Sequence, residues 1–210
     1  MLKELGKIFG SAERVKLMRF FLAHPEIQIE IDEVVKRLRV KKPVLKKEIK
    51  NLETIGMLTP IILEEDIEIK MKSGKSKFKT IKSDGLELNR SYTYADKLAE
   101  LLLDFRFISR EDLLDDLKKF GKIKLLALGG IFVKDEANGK LDLLLVGDAL
   151  DKEKIEYYLR GMEADFGTEI RFSVFESEEF NYRLNMFDRL IKDFFKSPHE
   201  KVLEKINTRG

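Results

Sequence analysis

The chain has 210 residues, 43% hydrophobic and 37% charged, with no cysteine and a formal net charge of +2. That length and apolar content suffice for one large domain or two ordinary ones with a real core. The missing cysteine excludes disulfides, iron–sulfur clusters, thiolate zinc sites and a cysteine nucleophile.

The small net charge hides a split. Through Lys82 there are 19 basic and 12 acidic residues, and from Ser83 on there are 21 and 26, so the N-terminal part is the basic one. The opening residues, "MLKELGKIFGSAERVKL", lack the apolar core of a signal peptide, and the longest apolar run, Leu125 to Val133, is too short to span a bilayer. A cytoplasmic location with no membrane role is the expectation.

In chain order, Ser11 is the expected N-cap of a first helix that carries Val15, Leu17, Met18, Phe21 and Leu22 at helical spacing and stops at Pro25. "IQIE" alternates as a short strand, and Asp32 is the expected cap of a second helix with Val34, Val35 and Leu38 on one face. In the third helix Pro43 suits the first turn, Leu45, Ile49, Leu52 and Ile55 form the inward stripe, and Gly56 ends it. The same period leaves Lys42, Lys46, Lys47 and Lys50 on or near the open face, with Lys41 just ahead and Asn51 alongside. From Met57 to Asn89 the sequence reads as a β-hairpin turning at Ser73-Gly74, with Lys70, Lys72, Lys75, Lys77 and Lys79 around the turn.

Two more helices are expected, one from Tyr92 to Phe105 and one between Ser109 as cap and Gly121 as stop. Leu98, Leu101, Leu102 and Phe105 exceed what one covered face needs, which suits either dimerisation or burial inside the monomer. "KIKLLALGGIFVKDEANGKLDLLLVGD" shows two strand-like runs joined at Asn138-Gly139. A helix capped by Asp151 and ended by Gly167, a strand "EIRFSVFE", and one or two closing helices with Ser177 and Asp188 as caps complete the chain. The expected fold class is α+β in three parts: residues 1–90, a helical connector 91–121 with a possible dimerisation role, and a small α/β domain 122–210.

Helix, short strand, helix, helix, hairpin is the order of a winged helix-turn-helix. In that fold the second helix of the pair enters the DNA major groove, where lysines bind phosphates or reach guanine edges, and the wing follows the backbone or minor groove. The expected DNA-binding set is Lys41, Lys42, Lys46, Lys47, Lys50 and Asn51 with Lys72, Lys75, Lys77 and Lys79. A merely solvated lysine face is the competing reading.

Residues 5 to 90, from "LGKIFGSAERVKLMRFFL" through "KKEIKNLETIGML" to "GLELN", resemble an ArsR-type winged helix, whose members are usually dimeric transcription regulators. The resemblance implies a homodimer on double-stranded DNA. Metal-sensing members use cysteine or histidine clusters; this chain has only His24 and His199, so no metal or cofactor is carried over. "LLALGGIFVKDEANGKLDLLLVGD" resembles the core of the nucleotidyltransferase fold, in which a Gly-Ser pair precedes an Asp-x-Asp strand. Matched to that pattern, Gly129-Gly130 takes the Gly-Ser place, Lys140 the first aspartate and Asp142 the second, while the third-strand acid falls near Arg171 or Ser173. A lysine in a ligand's place repels a cation, and one carboxylate cannot hold two divalent ions, so the resemblance implies a non-catalytic domain.

The expectation that follows is a sequence-specific DNA-binding transcriptional regulator with an inactive nucleotidyltransferase-like domain. The alternatives are an active nucleotidyltransferase modifying RNA or protein through Asp142, and a protein-interaction module without DNA binding. The phenylalanines Phe172, Phe175, Phe180, Phe187, Phe194 and Phe195 and the pair Tyr157-Tyr158 are read as core ahead of a ligand pocket.

Overall fold

The computed structural model describes residues 2–70, 76–105, 108–135 and 140–208, with backbone only at Lys3, 67–70 and 76–78. The turns expected at Ser73-Gly74 and Asn138-Gly139 lie outside the described residues. Among the described residues the fold is α+β, with nine α-helices and two small sheets. Packing divides the chain into an N-terminal unit, residues 2–103 with 164–167, and a C-terminal unit, residues 104–163 with 168–210. The residues of the expected connector divide between the two at Leu103 and Asp104.

The N-terminal unit begins with α1 (Leu2–Phe9), an eight-residue helix not anticipated from the sequence. α2 (Ala12–Ala23) starts where the extended Ser11 accepts a hydrogen bond from the Arg14 N–H, the expected cap. β1 (Ile29–Glu30) leads directly into α3 (Ile31–Leu38). Asp32 is not the cap of α3: Glu30 holds that position without a side-chain bond, and Asp32 sits in the first turn, where a negative charge meets the positive end of the helix dipole.

α4 (Lys42–Thr54) carries proline in its first turn and buries Leu45, Ile49 and Leu52. Ile55 departs from the expected stripe and is 55% exposed, because the helix has ended at Thr54 and the chain turns through Gly56 at φ +76°. Each buried aliphatic side chain contributes about 2 kcal/mol, against about 0–1 kcal/mol for an exposed ion pair, so the stripe decides which side of α4 faces inward.

β2 (Leu58–Lys70) and β3 (Ser76–Leu88) form a long antiparallel ladder from Leu58 opposite Leu88 to Lys70 opposite Ser76, and β1 joins the other edge of β3. α5 (Ala95–Leu102) is shorter than the expected Tyr92–Phe105 helix. The core of the unit gathers Leu17 and Phe21 of α2, Leu38, Leu45, Leu52 and Leu86.

In the C-terminal unit α6 (Arg110–Leu117) is capped by Ser109 as expected. The sheet has the order β6-β5-β4-β7, formed by β4 (Lys122–Leu128), β5 (Leu143–Asp148), β6 (Phe172–Glu176) and β7 (Glu200–Glu204). β4 is antiparallel to β5 and β7, and β5 runs parallel to β6. α7 (Lys152–Phe166) supplies the long crossover that a parallel pair requires. α8 (Ser177–Asn185) and α9 (Arg189–Lys196) follow, with Asp188 capping α9 as expected.

Three expectations are corrected here. Ile131–Val133 do not continue a strand: β4 stops at Leu128 and Gly130–Val133 form a 3-10 turn, entered through Gly130 at φ +47°. The cap of α8 is Glu176, while the Ser177 hydroxyl donates to the Gly147 carbonyl at 3.1 Å. The closing segment also forms β7, which was not anticipated. Phe175, Phe180 and Phe194 are core residues, whereas Phe187 and Tyr157 are exposed.

Within the N-terminal unit Arg19 is buried. Its Nε donates to the Leu102 carbonyl at 2.8 Å and its Nη1 to the Asp165 carbonyl at 3.0 Å, with the guanidinium 4.3 Å from the Phe166 ring centre. Burial lowers its pKa to about 10, with Asp165 opposing the shift. Gly167 has φ +70°, and an added Cβ would meet the Phe20 backbone at 2.5 Å. Gly167→Ala is therefore expected to destabilise the unit by more than about 1 kcal/mol, read as a lower urea midpoint in circular dichroism; an unchanged midpoint would contradict this account of the turn.

Candidate nucleic-acid interface and transferase-like motif

The inward side of α4 carries one charge that sequence reading did not place there. Glu48 is only 5% exposed. Its Oε1 accepts from the Ser11 hydroxyl at 2.9 Å, and its Oε2 accepts from Arg14 Nε at 2.7 Å and Asn51 Nδ2 at 3.1 Å. Burial pushes the Glu48 carboxyl up, but the hydrogen bonds from Arg14, Asn51 and Ser11 together outweigh it and hold the group below its ordinary value. Ser11 does double duty, since the same oxygen accepts the Arg14 N–H that starts α2.

With Leu45, Glu48, Ile49 and Leu52 inward, Lys41, Lys42, Lys46, Lys47 and Lys50 are all exposed. Lys47 and Lys50 lie nearly opposite the buried stripe and Lys46 on its flank. Lys42 turns to Asp32, and that ion pair keeps the Asp32 carboxyl below its ordinary value. Lys41, Lys47 and Lys50 form no ion pair among the described residues, and Lys46 forms none in direct contact but adds to the lowering of the Asp32 carboxyl, with which it shares a recess. Asn51 is half-buried and gives one amide hydrogen to Glu48, which leaves its second N–H and its carbonyl oxygen.

On the hairpin, Lys79 is exposed. Lys77 is paired through its backbone position with Ile69, its side chain lying outside the description, and Lys72 and Lys75 fall outside the described residues. The sequence reading dwelt on these lysines and passed over Glu64, Glu65 and Asp66 on β2, which are exposed; Glu64 pairs with Lys82 and Asp66 accepts from Thr80. Of the apolar residues assigned to a dimer helix, Leu102 and Phe105 are buried and Leu98 half-buried, which leaves Leu101 exposed.

The transferase-like positions converge on Asp142, which is fully buried. Its carboxylate accepts four hydrogen bonds: from Ile131 N at 3.1 Å, from Arg171 N at 2.8 Å, and from Arg171 Nε and Nη2 at 2.9 and 2.8 Å. Gly130 is required here, since a Cβ would overlap Asp142 Oδ1, and Gly129 N donates to the Asp142 carbonyl at 2.8 Å. Lys140 points elsewhere, to Asp193 at 2.9 Å. Asp142 thus spends its acceptor capacity on two backbone N–H groups and a bidentate guanidinium.

Ring nitrogens of His24 and His199 each lie 2.8 Å from a backbone carbonyl, of Gly167 and Ser197 respectively. Among the described residues no group of three His, Cys, Asp or Glu is placed to hold a metal ion, and no helix is long and apolar enough to cross a membrane. Comparison with known proteins finds no matching family model, curated protein or solved structure.

The Glu48 cluster gives a signed pH prediction. A carboxyl held below its unfolded value contributes stability that is present above the ordinary glutamate pKa and lost as pH falls through the lowered one. Glu48→Gln should cost about 1–3 kcal/mol at neutral pH and flatten the acid loss of stability seen in urea titrations; equal stability with an unchanged pH profile would contradict the assignment.

Proposed function

We propose that the N-terminal unit is a winged helix-turn-helix and that the protein is a sequence-specific DNA-binding transcriptional regulator acting as a homodimer. The observation that carries this reading is the row of exposed ammonium groups at Lys41, the cap of α4, and at Lys46, Lys47 and Lys50 on its solvent side, none of them in a direct ion pair among the described residues. A helix of this length fits a major groove about 12 Å wide, and lysines on its open side neutralise phosphates on the two strands flanking that groove. The solvated-face reading is weakened because several lysines elsewhere on the surface pair with acids three residues away, as Lys97 does with Glu100 and Lys118 with Asp115, whereas Lys41, Lys46, Lys47 and Lys50 form no ion pair among the described residues.

The acids on the middle of β2 refine the role of the hairpin. Contact with a polyanion suits Lys79 and the lysines beyond it better than the stretch at Glu64–Asp66. For the C-terminal unit we retain a non-catalytic, nucleotidyltransferase-like reading. Its support is that Asp142, the one carboxylate of the motif, already neutralises Arg171.

Fluorescence anisotropy on labelled genomic duplexes, selected by the protein from a fragment library, tests the proposal. The triple variant Lys46→Glu, Lys47→Glu, Lys50→Glu should lose at least 100-fold in affinity, and the control Lys118→Glu, Lys119→Glu should bind as the parent does. Equal binding by the triple variant, or no duplex selected by the parent, would reject it.

A further inference from the structure

A hollow of about 650 Å³ opens beside the last turn of α4, inside the N-terminal unit. Its apolar wall is built by Phe9 of α1, Met18 of α2, Ile55 beyond α4, Tyr92, Tyr94 and Leu98. The Tyr92 and Tyr94 rings meet edge to face with centroids 5.8 Å apart. Such a volume lies in the range of about 300–1,000 Å³ typical of small-molecule pockets, and an apolar wall with a few polar groups is their usual make-up.

The charges around it are one-sided. Arg14 and Lys97 line the hollow and no aspartate or glutamate does. Arg14 donates from Nε to Glu48 at 2.7 Å and from Nη1 to the Phe9 carbonyl at 2.9 Å, and its side chain keeps 30% of its surface open while that of Glu48 keeps 6%. Lys97, largely exposed, is shared with Glu100, which lies outside the lining. Leu101, Tyr94 and Ile55, apolar residues of the lining, are exposed.

We propose that this hollow binds a small monocarboxylate with an aliphatic or aromatic body. The body lies against the tyrosine pair, Phe9 and Leu98, and the carboxylate is directed toward the open edge of Arg14 and toward Lys97. Charge complementarity selects the anion: a neutral or cationic molecule of the same body gains the apolar contact without hydrogen bonds from Arg14 and Lys97. Leu52, Thr54 and Ile55 belong to the end of α4 and its exit, so an occupant touches the helix that carries the exposed lysines. The inference rests on the hollow alone and stands whether or not the protein binds DNA.

Isothermal titration of the full chain with decanoate, decan-1-ol and decylamine tests it. Decanoate is expected to bind with a stoichiometry of one per chain, and the alcohol and amine at least tenfold more weakly. Leu101→Glu, at an exposed position, should weaken decanoate at least tenfold with an unchanged circular dichroism spectrum, and Lys97→Ala should narrow the gap between decanoate and decanol. Equal affinity for acid and alcohol, or no binding of either, overturns the proposal. So does sedimentation showing a dimer that Leu101→Glu dissolves while decanoate leaves it intact, since a second copy would then fill the hollow.

Discussion

The burial of one carboxylate, Glu48, fixes how the N-terminal unit presents α4. A charge this far from water is tolerable only when donors replace its hydration, and Ser11, Arg14 and Asn51 supply three. Two of those donors sit at the start of α2, so the bond network holds α4 against rotation about its own axis as well as against separation from α2. The stripe of Leu45, Ile49 and Leu52 supplies most of the adhesion, and the ion pair supplies the orientation. The outward result is an exposed side of α4 at Lys47 and Lys50 to which the helix itself contributes no exposed acid, since Glu48 is turned in and Glu53 is half-buried, while Lys42 and Lys46 face Asp32.

A second buried carboxylate organises the other unit by the same physics and to a different end. Asp142 gathers two backbone N–H groups and the Arg171 guanidinium, and thereby closes the corner between the Gly129-Gly130 turn and the start of β5. Both acids are satisfied by an arginine from a distant part of the chain, Arg14 in one case and Arg171 in the other. In neither is the carboxylate left open to do chemistry. The N-terminal unit carries exposed cations on α4, and the exposed Ile55, Tyr94 and Leu101 line the hollow beside that helix.

Much of this was legible in the sequence where period and punctuation agree. α2 and α4 follow from apolar spacing with Ser11, Pro43 and Gly56 as markers, and the exposed lysines follow from the stripe opposite them. α1 and β7 were not anticipated, although Leu2, Leu5 and Phe9 of α1 fall at helical spacing and pack on the core. Glu48 had a signal that was passed over: it falls between Leu45 and Ile49 on the inward arc, where an acid demands a buried partner. The Asp142–Arg171 pair was foreshadowed only by the resemblance, which put Arg171 near the place of a third acid of the same site; 29 residues separate the two, and the parallel pairing of β5 with β6 brings them together. The caps at Asp32 and Ser177 were each misplaced because an acid or serine within the first turn looks the same in sequence as one at its start.

The most direct measurement of the central claim is the salt dependence of duplex affinity for the parent chain and for the variant with Lys46, Lys47 and Lys50 all changed to alanine. Outward ammonium groups that replace condensed counterions predict a linear fall of log affinity with log salt, with a slope about 0.9 smaller in magnitude for each phosphate contact removed, hence a difference of about 2–3 between the two proteins. Parallel lines of equal slope, or affinity indifferent to salt in the parent, would contradict the account.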